Sequence, residues 1–453
     1  MPGNSVSQVR GGLGIFAGAP AFVWMSNAYA NTGLKFAQLT CAVGNTPAFS
    51  PTLPPPMACL DGTAIEPGGA VGEVDLIGQD TKFPRVLRAN LGFDRDIGAG
   101  FTATIEGLYT KGIDDYFIIN RNLEAPVVAS DPVGRTVYGT FNGSGQSSPA
   151  YVNTIYGPSS SGGVYELLNT SENYSWSLTG QLQKRFTSSF FMTAGYTHSQ
   201  AKDVQSFTSS RAISNWRNSW KPSGDLRDDV ATTSSFSRPH RIVIGASYTA
   251  PWKNYPTDIS LTYVGQSGQP YTYIAGGAGG RGDLNADGTN TNDPIYIPTG
   301  AADPNMFFAD LTTSDGVVTA ADQAAAFDEF ISGESCLDGQ RGQIMERNSC
   351  RNPWQSFLDM SIRQSLPSIG GRTLTLEVGI FNLLNLLNED WGRVKAVGGT
   401  VFYEEDVLQQ VGADAGTGLP VFNFDPVNLD NRYTVTSTLG NSYQVQIGVR
   451  AAF

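Results

Sequence analysis

The chain alternates apolar and polar residues over long stretches, most clearly at its carboxy-terminal end. From residue 441 to 453 the apolar positions are Tyr443, Val445, Ile447, Val449, Ala451 and Phe453, and Gln444, Gln446, Gly448, Arg450 and Ala452 lie between them. Successive side chains of a β-strand point to opposite faces, so this period of two predicts a strand with one apolar and one polar face. Such a strand, ending on an aromatic residue, is typical of a membrane-spanning β-barrel.

The same period recurs along the rest of the chain. Its clearest earlier runs have the apolar members Phe101, Ala103, Ile105 and Tyr109; Trp176, Leu178, Leu182 and Phe186; Ile242, Ile244, Ala246, Tyr248 and Trp252; and Leu374, Leu376, Val378 and Ile380. Together the runs predict ten strands, at residues 7–17, 85–93, 98–122, 163–186, 189–205, 239–251, 257–274, 354–366, 371–385 and 441–453. A tilted spanning strand needs about 9 to 11 residues, so we expect several strands to project beyond the membrane.

The segments between these strands alternate between short and long. Short turns are predicted at residues 94–98, 187–189, 251–257 and 367–371, and long irregular segments at 18–84, 122–162, 205–238, 275–352 and 386–440. Outer-membrane barrels have short periplasmic turns and long extracellular loops. The sequence therefore predicts an all-β fold, an antiparallel transmembrane β-barrel in the bacterial outer membrane with its long loops outside the cell.

Aromatic residues near the short turns support this orientation. Phe186, Phe190, Trp252, Tyr255 and Phe453 lie close to the strand ends at that side, which predicts one interfacial aromatic girdle. A soluble β-sandwich would be expected to carry charges on its outward faces. Here the polar face is mostly neutral and rich in Gln, Thr and Ser, which favours the membrane.

Composition limits the partners of the chain. Charged residues make up only 15% of the 453 residues, and the net charge of -12 argues against nucleic acid as a partner. No apolar run reaches the roughly 18 to 20 residues of a spanning helix. Residues 1–14 lack the basic start and apolar core of a secretion signal, so we expect the sequence to be the downstream part of a longer precursor.

Four cysteines form two local couples in Gly-, Pro- and Asn-rich segments, Cys41 with Cys59 and Cys336 with Cys350. Closure of the shorter loops favours these two disulfides in an oxidising compartment. Four free buried thiols are the alternative. Near the second couple, Thr319 predicts the cap of a helix over residues 320–331, with Asp322 in its first turn and Gly333 beyond its end.

A candidate metal loop lies in the longest irregular segment. Oxygen-bearing residues occupy positions 1, 3 and 5 of the loop (Asp283, Asn285, Asp287), Gly288 occupies position 6, and Thr289 would offer its carbonyl at position 7. This is how an EF-hand calcium loop begins. Position 12 is a proline, and the acid stands one residue earlier, at Asp293. A structural Ca²⁺ that clamps the loop is predicted, and a solvated Asn/Asp/Gly turn is the alternative; no other cofactor is expected.

Several of these runs resemble those of a known family, the TonB-dependent outer-membrane receptors of the Oar-like type. The resemblance rests on residues 10–16, 21–24, 31–33, 282–288, 292–298, 347–351 and 381–385, and on the terminal Phe453. It implies a 22-stranded barrel of which residues 1–453 are the carboxy-terminal portion, with the plug domain, TonB box and signal peptide absent from this sequence. It also implies that the barrel-assembly machinery reads a terminal signal, assigned here to Tyr443, Val449 and Phe453.

The same resemblance implies active transport. A ligand would be bound at the extracellular loops and imported with energy delivered by the TonB complex, in contact with outer-membrane lipid and lipopolysaccharide. A passive porin or an adhesive surface barrel is the alternative. An outer-membrane protease is disfavoured, because the two histidines, His198 and His240, accompany no nucleophile motif, and no enzymatic activity is expected. The ligand-binding residues are not identifiable from the sequence.

Overall fold

The structure is a computed structural model, and it describes residues 6–32, 39, 41–49, 51, 56–64, 72–156, 162–219, 224–250, 252, 254–314, 316–369, 372–397, 404–425, 433–436 and 439–452. Ten long strands form its main sheet, each antiparallel to the next in chain order. They are β1 (Ser7–Ala17), β2 (Arg85–Gly98), β3 (Phe101–Asn120), β4 (Tyr174–Arg185), β5 (Phe190–Asp203), β6 (His240–Ala250), β7 (Thr257–Gln266), β8 (Gln355–Ile369), β9 (Arg372–Phe381) and β10 (Gln444–Ala452). The ten predicted strands and their antiparallel arrangement are confirmed, and β1 and β10 lie at the two ends of the strand order.

One face of this sheet is apolar and exposed. Val9 pairs with Phe93 and Phe93 with Ile105, so three apolar side chains stand in a row across β1, β2 and β3. At the other end of the sheet Ile447 of β10 pairs with Val378 of β9. Val9, Phe93, Ile105 and Ile447 are all exposed. The period of two in the sequence thus places a continuous apolar surface on the outside of the sheet.

The opposite face carries polar and charged side chains that bond across the strands. Arg10 forms ion pairs with Asp94 and with Glu106. Thr179 and Thr197 share a hydrogen bond of 2.9 Å between β4 and β5. Such cross-strand pairs are the expected way for a sheet to satisfy polar groups on one face.

Short turns join the strands at one end of the sheet. The turn between β2 and β3 is Ala99–Gly100 and not the predicted 94–98, because the strand continues to Gly98 and the chain reverses only there. Gly98, Ala99 and Gly100 all have positive φ, at 89°, 51° and 76°. Near these turns Phe186 lies 6.3 Å from Phe101 and 5.2 Å from Phe190, ring centroid to ring centroid. Phe453, the last member of the predicted girdle, lies outside the described residues.

Three predicted strands are shorter in the structure. The predicted strand 257–274 contains β7, which ends at Gln266, and Pro270–Gly276, which pairs with Glu404–Ala413 in another sheet. The predicted strand 163–186 contains Gly163–Thr170 and β4, because Gly163–Thr170 pairs in parallel with Glu73–Ile77 as well as with the end of β3. The predicted strand 371–385 ends at Phe381. Asn382 follows in the left-handed region, with φ of 52°, and starts a short helix.

The long connections fold together at the other end of the sheet, and we call them the loop lobe: residues 18–84, 121–173, 204–239, 267–354 and 382–443. Its further strands are Glu73–Ile77, Gly139–Phe141, Ser147–Pro149, Gly163–Thr170, Thr232–Thr233, Pro270–Gly276, Tyr296–Ile297, Phe307–Phe308, Leu311–Thr313, Gly316–Val318, Gln343–Ile344, Cys350–Arg351, Lys395–Val397, Glu404–Ala413, Pro420–Asn423 and Tyr433–Val435. Its helices are α1 (Phe22–Ala30), α2 (Ala212–Arg217), α3 (Ala320–Gly333), α4 (Ser335–Asp338) and α5 (Leu383–Leu387). Among the described residues no helix combines the length and the apolar character needed to cross a membrane.

Two hydrophobic clusters hold the loop lobe together. The first cluster packs α3 and the strand Pro270–Gly276 around Phe327, Ile331 and Tyr273. The second cluster packs the end of β3 against α2, around Ile118 and Trp216. Because both clusters are built from side chains of several connections, the long loops form a folded body.

The predicted helix and disulfides are present in the loop lobe, and the helix runs two residues further than predicted, to Gly333. The hydroxyl oxygen of Thr319 accepts a hydrogen bond of 3.2 Å from the Asp322 amide, which caps α3. Both cysteine couples are bonded, with Cα–Cα distances of 5.6 Å for Cys41–Cys59 and 5.1 Å for Cys336–Cys350. As predicted, α3 packs beside the second couple, since Cys336 and Cys350 belong to or border the first cluster.

Candidate functional site

The aspartate loop (residues 283–293) lies between the two clusters, after the buried strand Pro270–Gly276. Gly288 adopts a φ of 91°, and a Cβ placed there would meet the Tyr151 hydroxyl at 2.5 Å. Only glycine fits both this positive φ and the close contact between the backbone at position 288 and the Tyr151 hydroxyl. The bend that the sequence predicted at position 6 of the loop is therefore present.

The carboxylates of the loop are turned inward onto its own backbone. Asp283 accepts hydrogen bonds from the amides of Asp287 and Gly288, both at 3.0 Å. Asp287 accepts from the Thr289 amide at 2.8 Å and from Nδ2 of Asn292 at 3.0 Å. The side chains of Asp283, Asp287 and Asn292 are buried, so the loop concentrates its negative charge away from bulk water.

A second connection of the loop lobe holds the aspartate loop from outside. The Ser147 hydroxyl donates a hydrogen bond of 2.8 Å to Asp283. The Arg135 guanidinium donates to Asp293 at 3.0 Å and to the carbonyl of Pro294 at 2.6 Å. The amide of Tyr138 donates to the carbonyl of Asn285 at 2.8 Å. Residues 121–173 and 267–354 are thereby joined through the aspartate loop.

Burial makes the charged form of these carboxylates costly. It raises the pKa of Asp283 well above its usual range, and the neighbouring charges of Asp287 and Asp293 raise it further. Burial likewise raises the pKa of Asp287, against hydrogen bonds that lower it. The pKa of Asp293 is raised to about 7 by burial, although Arg135 opposes the shift. The loop is thus a place where positive charge would be stabilised.

The structure brings the predicted metal ligands together only in part. Asp283, Asn285, Asp287 and Thr289 are neighbours in one hydrogen-bonded loop. Asp293 is held by Arg135 instead. Among the described residues no three His, Cys, Asp or Glu side chains converge as a metal-binding group. The predicted calcium site stays a prediction.

Sequence reasoning missed three participants in this arrangement. Arg135 and Ser147 contact the loop across 158 and 136 residues of sequence, so no local pattern could have indicated them. Asn292 belongs to the motif itself but was not among the predicted ligands. Its amide donates to Asp287 from inside the loop. The signal for Asn292 was its place within a run of Asn and Asp residues.

A cavity of about 440 Å³ opens beside the aspartate loop. It combines aromatic side chains with charges of both signs, and its lining includes Tyr151, Tyr165, Trp216, Arg217, Asp283 and Asp287. Burial raises the pKa of Tyr151 to about 12, with added contributions from Asp283 and Asp287, so its hydroxyl keeps its proton at neutral pH. The cavity can therefore offer hydrogen bonds, ring faces and charge to a polar ligand.

Other residues singled out by the sequence are not part of the described lining of this cavity. Tyr443 precedes β10 and Val449 lies within it, and both are exposed. Phe453, the third residue of the predicted assembly signal, lies outside the described residues. His198 and His240 stack on the main sheet with ring centroids 4.9 Å apart, and His240 shares a hydrogen bond of 2.7 Å with the Tyr196 hydroxyl.

The chain is similar to three proteins of known structure. The outer membrane transporter YddB from Escherichia coli aligns with a TM-score of 0.42 at 10% identity, over 99% of this chain and 39% of that one. A variant of the ferric enterobactin receptor PfeA from Pseudomonas aeruginosa aligns with a TM-score of 0.37 at 9% identity, over 99% and 38%. The FrpB iron transporter from Neisseria meningitidis aligns with a TM-score of 0.27 at 11% identity, over 69% and 29%. The chain thus spans 39% or less of the length of these proteins.

Sequence comparison gives the family. No curated protein sequence matches the chain. The family model of the outer membrane beta barrel domain, in contrast, matches residues 4–390, which are most of the chain and include nine of the ten strands of the main sheet from β1 to β9. The chain therefore belongs to the outer membrane β-barrel domain family.

Proposed function

We propose that this chain is part of an outer-membrane uptake receptor that captures a ligand on its loop lobe and passes it towards the periplasm. The family places the protein in the bacterial outer membrane. The observation that carries the proposal is the loop lobe, which is folded around two hydrophobic clusters and contains a polar and aromatic cavity. A concave site with a few placed polar groups is the usual form of a ligand pocket.

Contacts between connections favour ligand capture over passive diffusion. Trp24 donates a hydrogen bond to the carbonyl of Ser209, and Arg211 forms an ion pair with Glu73. The amide of Gly282 donates to the side chain of Gln410 at 2.6 Å. Two pairs of connections are joined in this way, residues 18–84 with 204–239 and residues 267–354 with 382–443. An ordered lobe can present a ligand site of fixed shape, whereas a passive pore has no need of one.

Energy coupling is the further part of the proposal. The residue runs at 282–288, 292–298 and 347–351 resemble those of Oar-like receptors, which implies a plug domain and the TonB complex as partners. The barrel-assembly machinery and lipopolysaccharide are the partners expected at the membrane. The chain spans less than two-fifths of the solved transporters that it matches, so the activity of the whole protein is part of the proposal.

Uptake in living cells tests the proposal. Cells with and without the gene would be incubated with candidate peptides, glycans and iron chelates, and accumulation of each would be followed with and without a protonophore. We expect one ligand class to accumulate only in cells that have the gene, and the protonophore to abolish that accumulation. A variant with Arg217→Ala in the cavity should reduce binding of that ligand to whole cells.

The passive alternative gives a different result. A porin would let small solutes enter regardless of the protonophore, and the purified protein would form a steady open channel in planar lipid bilayers. Either finding would contradict energy-coupled uptake. Ligand-independent adhesion of cells, lost on deletion of the gene without any change in uptake, would instead identify an adhesive barrel.

A further inference from the structure

The aspartate loop contains a buried polar atom, the amide oxygen of Asn292. The side chain of Asn292 is 5% exposed, and among the described residues its Oδ1 atom accepts no hydrogen bond. Its Nδ2 atom lies 3.0 Å from the Asp287 carboxylate, so the amide is seated against the loop. A buried acceptor without a donor costs about 1–3 kcal/mol unless something else satisfies it.

The charge of the loop is also unbalanced. Within the described part of the chain, Asp293 has its ion pair with Arg135, while neither Asp283 nor Asp287 forms one. Both carboxylates are buried, and the hydrogen bonds that they accept from described residues come from neutral groups: backbone amides, the hydroxyls of Ser147 and Thr289, and asparagine amides. Buried charges are normally paired or bound to metal. Two uncompensated carboxylates call for one divalent cation.

We propose that the aspartate loop binds Ca²⁺ through the side chains of Asp283, Asn285, Asp287 and Asn292 and the carbonyl of Thr289. All of these donors are oxygens, which Ca²⁺ takes in sets of six to eight with flexible geometry. Zinc prefers nitrogen and sulfur ligands, which this loop does not supply. The set differs from the sequence prediction because Asn292 replaces Asp293, whose carboxylate Arg135 already neutralises.

The cation would join two connections of the loop lobe. Asp283 is bonded to Ser147, and the carbonyl of Asn285 is bonded to the amide of Tyr138. Tyr138 belongs to the second cluster and Leu284 of the loop to the first. A cation that fixes Asp283 and Asn285 therefore stabilises the junction of the two clusters, and its removal should loosen residues 135–151 and 283–293 together.

Calorimetric titration of the purified protein in detergent with CaCl₂, after treatment with a chelator, tests the proposal. The wild type should bind one Ca²⁺ per chain. Asp287→Asn removes one ligand charge but keeps the acceptor for the Thr289 amide, and Asn292→Ala removes one neutral oxygen. Each should weaken calcium affinity at least tenfold, a loss of about 1.4 kcal/mol or more in binding free energy.

Asp414→Asn is the matched control. Asp414 accepts hydrogen bonds from the Gly416 and Thr417 amides in an exposed turn of another connection, so the same chemical change is made outside the loop. Its calcium affinity should equal that of the wild type. Limited proteolysis should show faster cleavage within residues 135–151 and 283–293 when calcium is chelated.

Three outcomes would overturn the proposal. The first is a folded wild type that binds no calcium at about 10 mM, above the weakest range of extracellular calcium modules. The second is unchanged affinity in both site variants. The third is an equal loss in Asp414→Asn. Having Asn292→Ala beside Asp287→Asn keeps the test decisive if one of the two fails to fold. Ligand uptake is a separate readout, so failure here does not decide the proposed function.

Discussion

Two buried carboxylates of the loop lobe, Glu73 and Asp75, have different partners. Glu73 is ion-paired with Arg211. Two residues on, Asp75 is 4% exposed, and its Oδ2 atom accepts a hydrogen bond of 3.0 Å from Asn31. Within the described residues its Oδ1 atom has no partner. Burial, and then the charge of Glu73, raises the pKa of Asp75 to about 7.

This pKa predicts how the stability of the loop lobe depends on pH. An aspartate in the unfolded chain has a pKa of about 3.9, so between pH 4 and about 7 the folded state holds more protons than the unfolded state. Stability should be greatest at low pH and fall as the pH rises through that range. Amide hydrogen exchange of the strand Glu73–Ile77 at pH 5 and pH 8 measures this. Asp75→Asn should reduce the difference between the two pH values, and identical differences in wild type and variant would contradict the assignment.

Arg135 is the residue on which the aspartate loop depends for its ion pair. Arg135→Met would leave Asp293 buried without its partner, which should cost about 3–5 kcal/mol in the free energy of unfolding. Adding Asp293→Asn to that variant should recover part of the loss. Arg121→Met is the matched control: Arg121 is more than half exposed in its ion pair with Glu166, so its loss should cost about 1 kcal/mol or less. Denaturation followed by loop-lobe fluorescence compares the three, and equal losses in both single variants would refute the prediction.

The alternation of apolar and polar residues along the sequence was enough to predict the strands of the main sheet. It could not predict where a strand leaves that sheet. The strand predicted at residues 163–186 begins with residues 163–167, which pair in parallel with Glu73–Ile77. That pairing joins residues about 90 apart, and no local pattern encodes it. For the same reason the bend of the aspartate loop at Gly288 was predictable, and its distant partners Arg135 and Ser147 were not.

Helix α3 is held in the first cluster by the aromatic side chain of Phe327. Phe327 is fully buried, with ring centroids 4.9 Å from Phe424 and 5.9 Å from Phe308. Phe327→Ala should cost about 3–5 kcal/mol in the free energy of unfolding, because it removes a large side chain and leaves a cavity. Phe49→Ala is the matched control, since Phe49 is 91% exposed and its loss should stay within about 0.5 kcal/mol. Thermal unfolding measures both, and a small effect at Phe327 would mean that α3 is not part of the first cluster.

For the molecule as a whole, the two faces of the main sheet predict opposite responses to charge. Ile447 is 70% exposed on the apolar face, and its neighbour Gln446 lies on the polar face beside a concavity that Arg363 and Glu377 also line. Ile447→Lys should impair insertion by up to about 2–4 kcal/mol, the cost of a lipid-facing lysine at the bilayer midplane, and less nearer the interfaces. Gln446→Lys should have little effect. Folding yields into lipid vesicles compare the variants, and equal yields would place both residues in water.

The contacts between connections in the loop lobe bear on how this protein could be re-engineered. Loops of a scaffold are commonly treated as interchangeable parts that can be transplanted one at a time. Here a transplanted segment 278–294 would leave behind Arg135, Ser147 and Gln410, which belong to two other connections. The unit of grafting is therefore the whole set of connections, and so is the unit in which a new binding specificity would have to be acquired.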